Sequence, residues 1–130
     1  MKLKQYVIES TTDGSGDSVD TSEGPIFGQL YAVYHDDGDY ANNVTVDITY
    51  TGPDGDSVTL LALAAAAADS HAMKYPRTQV HLDSDGTGLT LDGTRIAYGL
   101  PIIDGVVTVT IAAGGASKSG SETLYVLVND

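Results

Sequence analysis

Carboxylates, histidines and glycine-rich turns are the groups in this chain whose type and spacing bear on chemistry, because the 130 residues include no cysteine. Thiolate nucleophiles, disulfides and cysteine-held metal sites are therefore excluded. Asp83-Ser84-Asp85-Gly86-Thr87-Gly88 alternates carboxylates ahead of a glycine turn, as an oxygen-coordinated cation requires. A helix-flanked calcium loop would need an acid where His81 stands and a bidentate Glu further on, where Asp92 is the nearest acid, so a plain turn is expected. His35-Asp36-Asp37-Gly38-Asp39 would hold a cation only adventitiously. The three histidines, 35, 71 and 81, form no i,i+4 pair on a helix, and a structural role is expected of them.

Gly14-Ser15-Gly16 and Gly114-Gly115 lack the lysine, the following Ser or Thr and the strand-to-helix setting of a phosphate cradle. A Gly-x-Ser-x-Gly nucleophile elbow is absent as well. These readings predict a protein that is not an enzyme and uses no cofactor or metal.

The elements that would position any site read as strands. Asn43–Thr51 sets Val44, Val46, Ile48 and Tyr50 on one face and Thr45, Asp47, Thr49 and Thr51 on the other, the period of a half-buried strand. Gly52-Pro53-Asp54-Gly55-Asp56 then supplies turn chemistry before Ser57–Leu63 returns, which predicts a hairpin. Gly105–Ala112 and Glu122–Val128 (with Leu124, Val126 and Val128 alternating) are predicted to form a second hairpin around a longer, mobile loop at Gly114–Gly120. Further strands are predicted at Lys4–Glu9, Ile26–His35, Thr78–Leu82, Leu89–Leu91 and Arg95–Tyr98. Between Leu60 and Ala72 the alanine run favours a short helix, the alternative being that Leu60–Ala64 prolongs the preceding strand. The expected fold is all-β: an antiparallel β-sandwich or jelly roll of about eight strands with at most one short helix. Residues 1–130 are expected to form a single domain, residues 1–24 being a flexible or exchanged N-terminal arm.

Charge narrows the function classes. Eighteen acids against six bases give −12, and Thr11–Asp56 holds ten of those acids with no Lys or Arg. Such a field repels nucleic-acid phosphates and anionic headgroups, so neither nucleic acid nor membrane is an expected partner. No stretch approaches the roughly 18 apolar residues of a span, and the first residues lead into no apolar signal core.

One set of short motifs points further. Gly24-Pro25-Ile26-Phe27-Gly28-Gln29-Leu30, Lys74-Tyr75-Pro76-Arg77, Leu100-Pro101-Ile102 and the Gly114-Gly115-Ala116-Ser117-Lys118-Ser119-Gly120 loop between two strands occur in this order. The chain thereby resembles small β-rich virion structural proteins of tailed bacteriophages and prophages over roughly Gly24 to Val128. The resemblance implies a virion component on the capsid surface: a decoration, or cement, protein that stabilises the head lattice by binding the major capsid protein, as a homotrimer. Neck, head–tail adaptor and tail roles are the alternatives within that class. A glycan-binding or adhesin-type sandwich is the alternative outside it, marked by aromatics exposed on one face; the chain has eight Tyr and no Trp.

An interface needs aromatic and guanidinium anchors, and Lys74, Tyr75, Pro76 and Arg77 offer them. The plainer reading places Tyr75 in the core and Arg77 against a neighbouring Asp. Lys2 and Lys4 mark the first strand as a second contact, one that would add to a neighbour's sheet.

Overall fold

The computed structural model describes residues 2–79 and 98–129. The predicted strand at Leu89–Leu91, most of those at Thr78–Leu82 and Arg95–Tyr98, and the Asp83–Gly88 turn lie outside the described residues. Among the described residues ten strands follow one another: β1 (Lys2–Thr11), β2 (Ser18–Thr21), β3 (Ile26–Asp36), β4 (Thr45–Thr51), β5 (Ser57–Ala64), β6 (Ala72–Lys74), β7 (Thr78–Gln79), β8 (Tyr98–Gly99), β9 (Ile102–Ala112) and β10 (Ser119–Val128). Eight form one antiparallel sheet in the order β1-β10-β3-β9-β4-β5, with β2 on β9 and β6 on β3; β7 and β8 make a separate ribbon. The all-β antiparallel fold expected from the alternation is the one observed.

The sheet folds on itself along β9. Ile102–Gly105 pairs with β3, whereas Val106–Ala112 pairs with β4 and Thr108–Ile111 also with β2. Gly105 makes this passage possible: its φ is +152°, and a Cβ there would sit 1.9 Å from the Thr51 carbonyl oxygen. The two halves, β1-β10-β3-β6 and β2-β9-β4-β5, then close on a single core that includes Ile8, Leu30, Val33, Val46, Ile48, Val107, Val109, Leu124 and Val126.

The hairpin of β4 and β5 forms as predicted, with Gly52 and Asp56 closing its turn, and a bulge shifts the register after Ile48. The second predicted hairpin does not form. β9 lies between β4 and β2, and β10 lies between β1 and β3. The Gly114–Gly120 loop carries the chain from one half to the other, and it is anchored rather than loose. Gly114 N–H donates to Gly16 O (2.9 Å), Ala41 N–H to Gly114 O (2.9 Å) and Thr12 N–H to Lys118 O (2.8 Å). With both strands buried on one face, matching of apolar faces decided the partners, and nearness in sequence did not.

The alanine run takes the extended alternative. Leu60–Ala64 belongs to β5, and Ala65–Ala67 is a single 3-10 turn that ends on fully buried Ala68. Tertiary pairing of β5 with β4 overrides alanine's helix propensity here. β1 pairs with β10 of its own chain from Lys2 to Thr11, and the following segment is held by β2 and by the turn in which Asp13 Oδ1 accepts the N–H groups of Ser15 and Asp17. Those donors also hold the Asp13 carboxyl below its usual range.

Candidate interaction surface

Directly opposed residues of neighbouring strands share a face of the sheet, so the register defines what the β1-β10-β3-β6 half presents outward. One row across it reads Leu3, Leu127, Gln29 and Ile102; another reads Val7, Thr123, Tyr34 and Met73; Gln5, Tyr125 and Ala32 lie between them. Phe27 stands beyond the first row. Leu3, Val7, Phe27, Met73 and Ile102 are all exposed large hydrophobics of this face. Carboxylates border it: Asp104 lies opposite Phe27 at one end, and Glu9 and Asp36 both lie opposite Ser121 at the other.

At the centre sits a bulge. β10 pairs Tyr125 with Ala32 and Val126 with Leu30, so Tyr31 is the extra residue of β3. Arg77 Nη1 donates to the carbonyl of this residue at 3.0 Å and to that of Pro76 at 2.6 Å. The guanidinium carbon lies 6.0 Å from the Tyr31 ring centre and 5.9 Å from that of Tyr75, and the two rings meet edge to face at 6.2 Å. Arg77 is thereby oriented by two carbonyls and two rings while remaining exposed. Tyr75 is 57% and Tyr31 44% exposed, so neither is a core residue, and the plainer reading of this motif is corrected.

The other half presents a different surface. Along β4 and its neighbours the outward rows are Thr45, Asp47, Thr49 and Thr51 beside Ala112, Thr110 and Thr108, with Ala64 and Ala62 on the far side. Small and hydroxylated side chains make up most of it, with Val106 beside Thr51 and the exposed Val19 of β2 opposite Thr110. An aromatic and aliphatic face carrying one clamped guanidinium on one side, and a threonine-rich face on the other, make the first the candidate contact surface.

The residues singled out in the sequence divide between two places. Tyr75 and Arg77 are on the apolar face, Pro76 is buried beside them, and Lys74 is partly buried on the opposite side of β6, paired with Val33. Lys2 and Lys4 stand apart, at the start of β1 on its inward-facing side opposite Val128 and Val126, with Lys4 Nζ 5.0 Å from the Tyr6 ring centre. Sequence reasoning missed Tyr31, Phe27, Leu3 and Val7, although alternation within β1 and β3 carries the signal.

It also missed a buried ionisable pair. His35 and Glu122 lie directly opposite each other on β3 and β10 and are 0% and 1% exposed. His35 Nε2–H donates to the Ala68 carbonyl at 2.6 Å, so the proton between His35 Nδ1 and Glu122 Oε1 is the pair's second, shared one. Burial alone would lower the His35 pKa, but its hydrogen bond and attraction to Glu122 outweigh that and raise it; burial raises that of Glu122. Among the described residues Glu122 Oε2 has no hydrogen-bond partner. A dyad sealed from solvent cannot meet a substrate, which makes it a core element; burial likewise pushes the nearby Tyr40 hydroxyl up to about 12.

Acids between the strands serve turns. Asp36 Oδ1 accepts Gly38 N–H at 3.0 Å and Asp39 Oδ1 accepts Ser119 N–H at 2.7 Å, and no cluster of three metal-ligating residues occurs among the described residues. Chelation with EDTA is expected to leave the unfolding midpoint unchanged; a drop would place a cation among the aspartates of 36–39 or 83–85.

No family model, no curated protein and no solved structure matches the chain.

Proposed function

We propose that this protein is a non-catalytic binding domain whose outward β1-β10-β3-β6 face docks on another protein, and that the partner is the major capsid protein of a tailed phage, with this chain as a decoration protein of the head. The observation that carries the docking reading is the Tyr31–Arg77–Tyr75 clamp at the centre of an apolar face with carboxylates at its ends. Buried aromatic and arginine anchors within an otherwise tolerant contact area are the usual energetic centre of a protein–protein interface. The choice of capsid rests on the motif resemblance. The acidic Thr11–Asp56 third keeps such a subunit soluble before it docks.

Linkage supplies the mechanism. A ligand that binds the assembled lattice and not its separated subunits stabilises the lattice by its binding energy at every site. Heads lacking the protein should keep their shape and open at lower temperature.

Two measurements test this. Cryo-electron microscopy of the native particle should find a copy at every equivalent lattice position, and copies confined to a neck or tail ring would overturn decoration. For the contact, Arg77→Ala should lose about 1–2 kcal/mol per site, roughly tenfold in Kd, while Asp47→Ala on the threonine face should lose little. Equal occupancy of purified heads by the two variants would discard the named face.

A second reading has its own observation, since Phe27, Tyr31 and Tyr75 expose aromatic rings on one face. That is the mark expected of a glycan-binding sandwich, and binding on a glycan array, abolished by Tyr75→Ala, would establish it in place of capsid docking.

A further inference from the structure

We propose that two copies of this chain pair edge to edge through β1, antiparallel about a twofold axis at Gln5, so that the β1-β10-β3-β6 sheet continues from one copy into the other. The contact rests on the edge strand, taking Leu3 and Val7 from the margin of the outward face and none of Tyr31, Tyr75 and Arg77 at its centre.

Among the described residues β1 is paired only with β10, in ten consecutive register pairs without a bulge. From Leu3 to Thr11, alternate N–H and C=O groups of its other edge therefore pair with no other described strand, and a long, regular edge is a template for a further one. The opposite end of the sheet differs, for β5 is interrupted by a bulge at Leu60. Grooves flank β1: one of about 780 Å³ is lined by Lys2 to Tyr6 together with Pro25, Phe27, Val128 and Asn129, and one of about 310 Å³ lies between Gln5–Ile8 and the segment Ser22–Pro25.

The occupant follows from the strand's own side chains. In a twofold antiparallel pairing centred on Gln5, opposed residues share a face, which sets Leu3 against Val7 and Lys4 against Tyr6 of the second copy, and Lys2 against Ile8. Leu3 and Val7, 49% and 58% exposed, then cover each other on the outward side. Lys4 meets a ring of the kind it already overlies within its own chain. No like charges are opposed. Charge distribution favours this edge again: Met1–Ser10 holds two lysines and one glutamate, whereas Thr11–Asp56 holds ten acids and no Lys or Arg. Two molecules of net charge −12 meet here away from the acidic third, where their mutual repulsion is least. The twofold pairing takes the place of the threefold assembly expected from the resemblance.

Sedimentation velocity of the full chain at micromolar concentrations should show a dimer whose fraction rises with concentration. Register is read by cysteine scanning, which is clean in a chain without cysteine. Gln5→Cys should cross-link to itself on oxidation, because directly opposed Cβ atoms lie about 4.5–5.5 Å apart. Leu3→Cys alone should not, its copies being four residues, about 13 Å, apart along the strands, yet a mixture of Leu3→Cys and Val7→Cys should. A monomer at every concentration overturns the proposal. So does a dimer that Gln5→Cys fails to cross-link, or one that Arg77→Ala dissolves, since either would put the contact on another surface.

Discussion

His35→Leu is expected to destabilise the domain by about 3–5 kcal/mol at pH 8, and by clearly less at pH 5. The substitution leaves the Glu122 carboxyl in a site 1% exposed, with its hydrogen-bonded partner gone and the second oxygen already without one. A carboxylate cannot be held there unpaired, so the acid must take up a proton as the chain folds. Its folded pKa lies above the ordinary 4.5, and the sign follows. Stability is fully present below the unfolded value, and it is lost as pH rises toward the folded one, by about 1.4 kcal/mol per unit.

In the parent protein the shared proton produces a milder dependence of the same sign. The raised His35 pKa means that the folded pair keeps its proton above pH 6.5 while the unfolded chain releases it, so stability declines as pH rises past that point. The double variant His35→Leu/Glu122→Leu should regain most of the loss, since an apolar pair needs no buried proton. Urea unfolding of the three proteins at pH 5 and 8 decides the matter; equal losses at both pH values, or a double variant no better than the single, would refute this account of the pair.

Gly105→Ala is the second large effect, expected at about 3 kcal/mol or more. Two penalties combine: φ of +152° is a backbone region that side chains avoid, and the added carbon would stand 1.9 Å from the Thr51 carbonyl oxygen. Backbone cannot move aside there without breaking the Thr51–Val106 pairing that joins β4 to β9. Gly55→Ala is the control. Its φ is +87°, but a Cβ would meet nothing within 4 Å, so only the conformational penalty of about 1–2 kcal/mol applies. Unfolding midpoints that shift equally would show that the passage of β9 between the two halves is not tightly packed at Gly105.

What the chain alone determined was the local periodicity. Val44, Val46 and Ile48 are buried as their alternation requires, and Gly52–Asp56 closes the one hairpin whose turn is short enough to set its own register. The same period places Glu122 in line with Leu124 and Val126 on the inward face of β10, so a buried acid was legible there. Its partner was not, because His35 stands 87 residues away and nothing local specifies which strands adjoin. The failure of the second hairpin has the same origin: a seven-residue loop leaves pairing open, and burial of both inner faces against distant strands decides it.

The interaction face shows the division most clearly. Tyr75 and Arg77 announce an anchor by composition, but the orientation of Arg77 comes from the bulge residue Tyr31, which supplies a carbonyl for the guanidinium and a ring beside it. A bulge is a property of the register between β3 and β10 and leaves no mark in either strand read singly. Side-chain alternation is a property of neighbouring residues, and so the sequence carries it. Strand order, register and the surfaces they assemble depend on which distant faces exclude water together, and tertiary structure alone decides that.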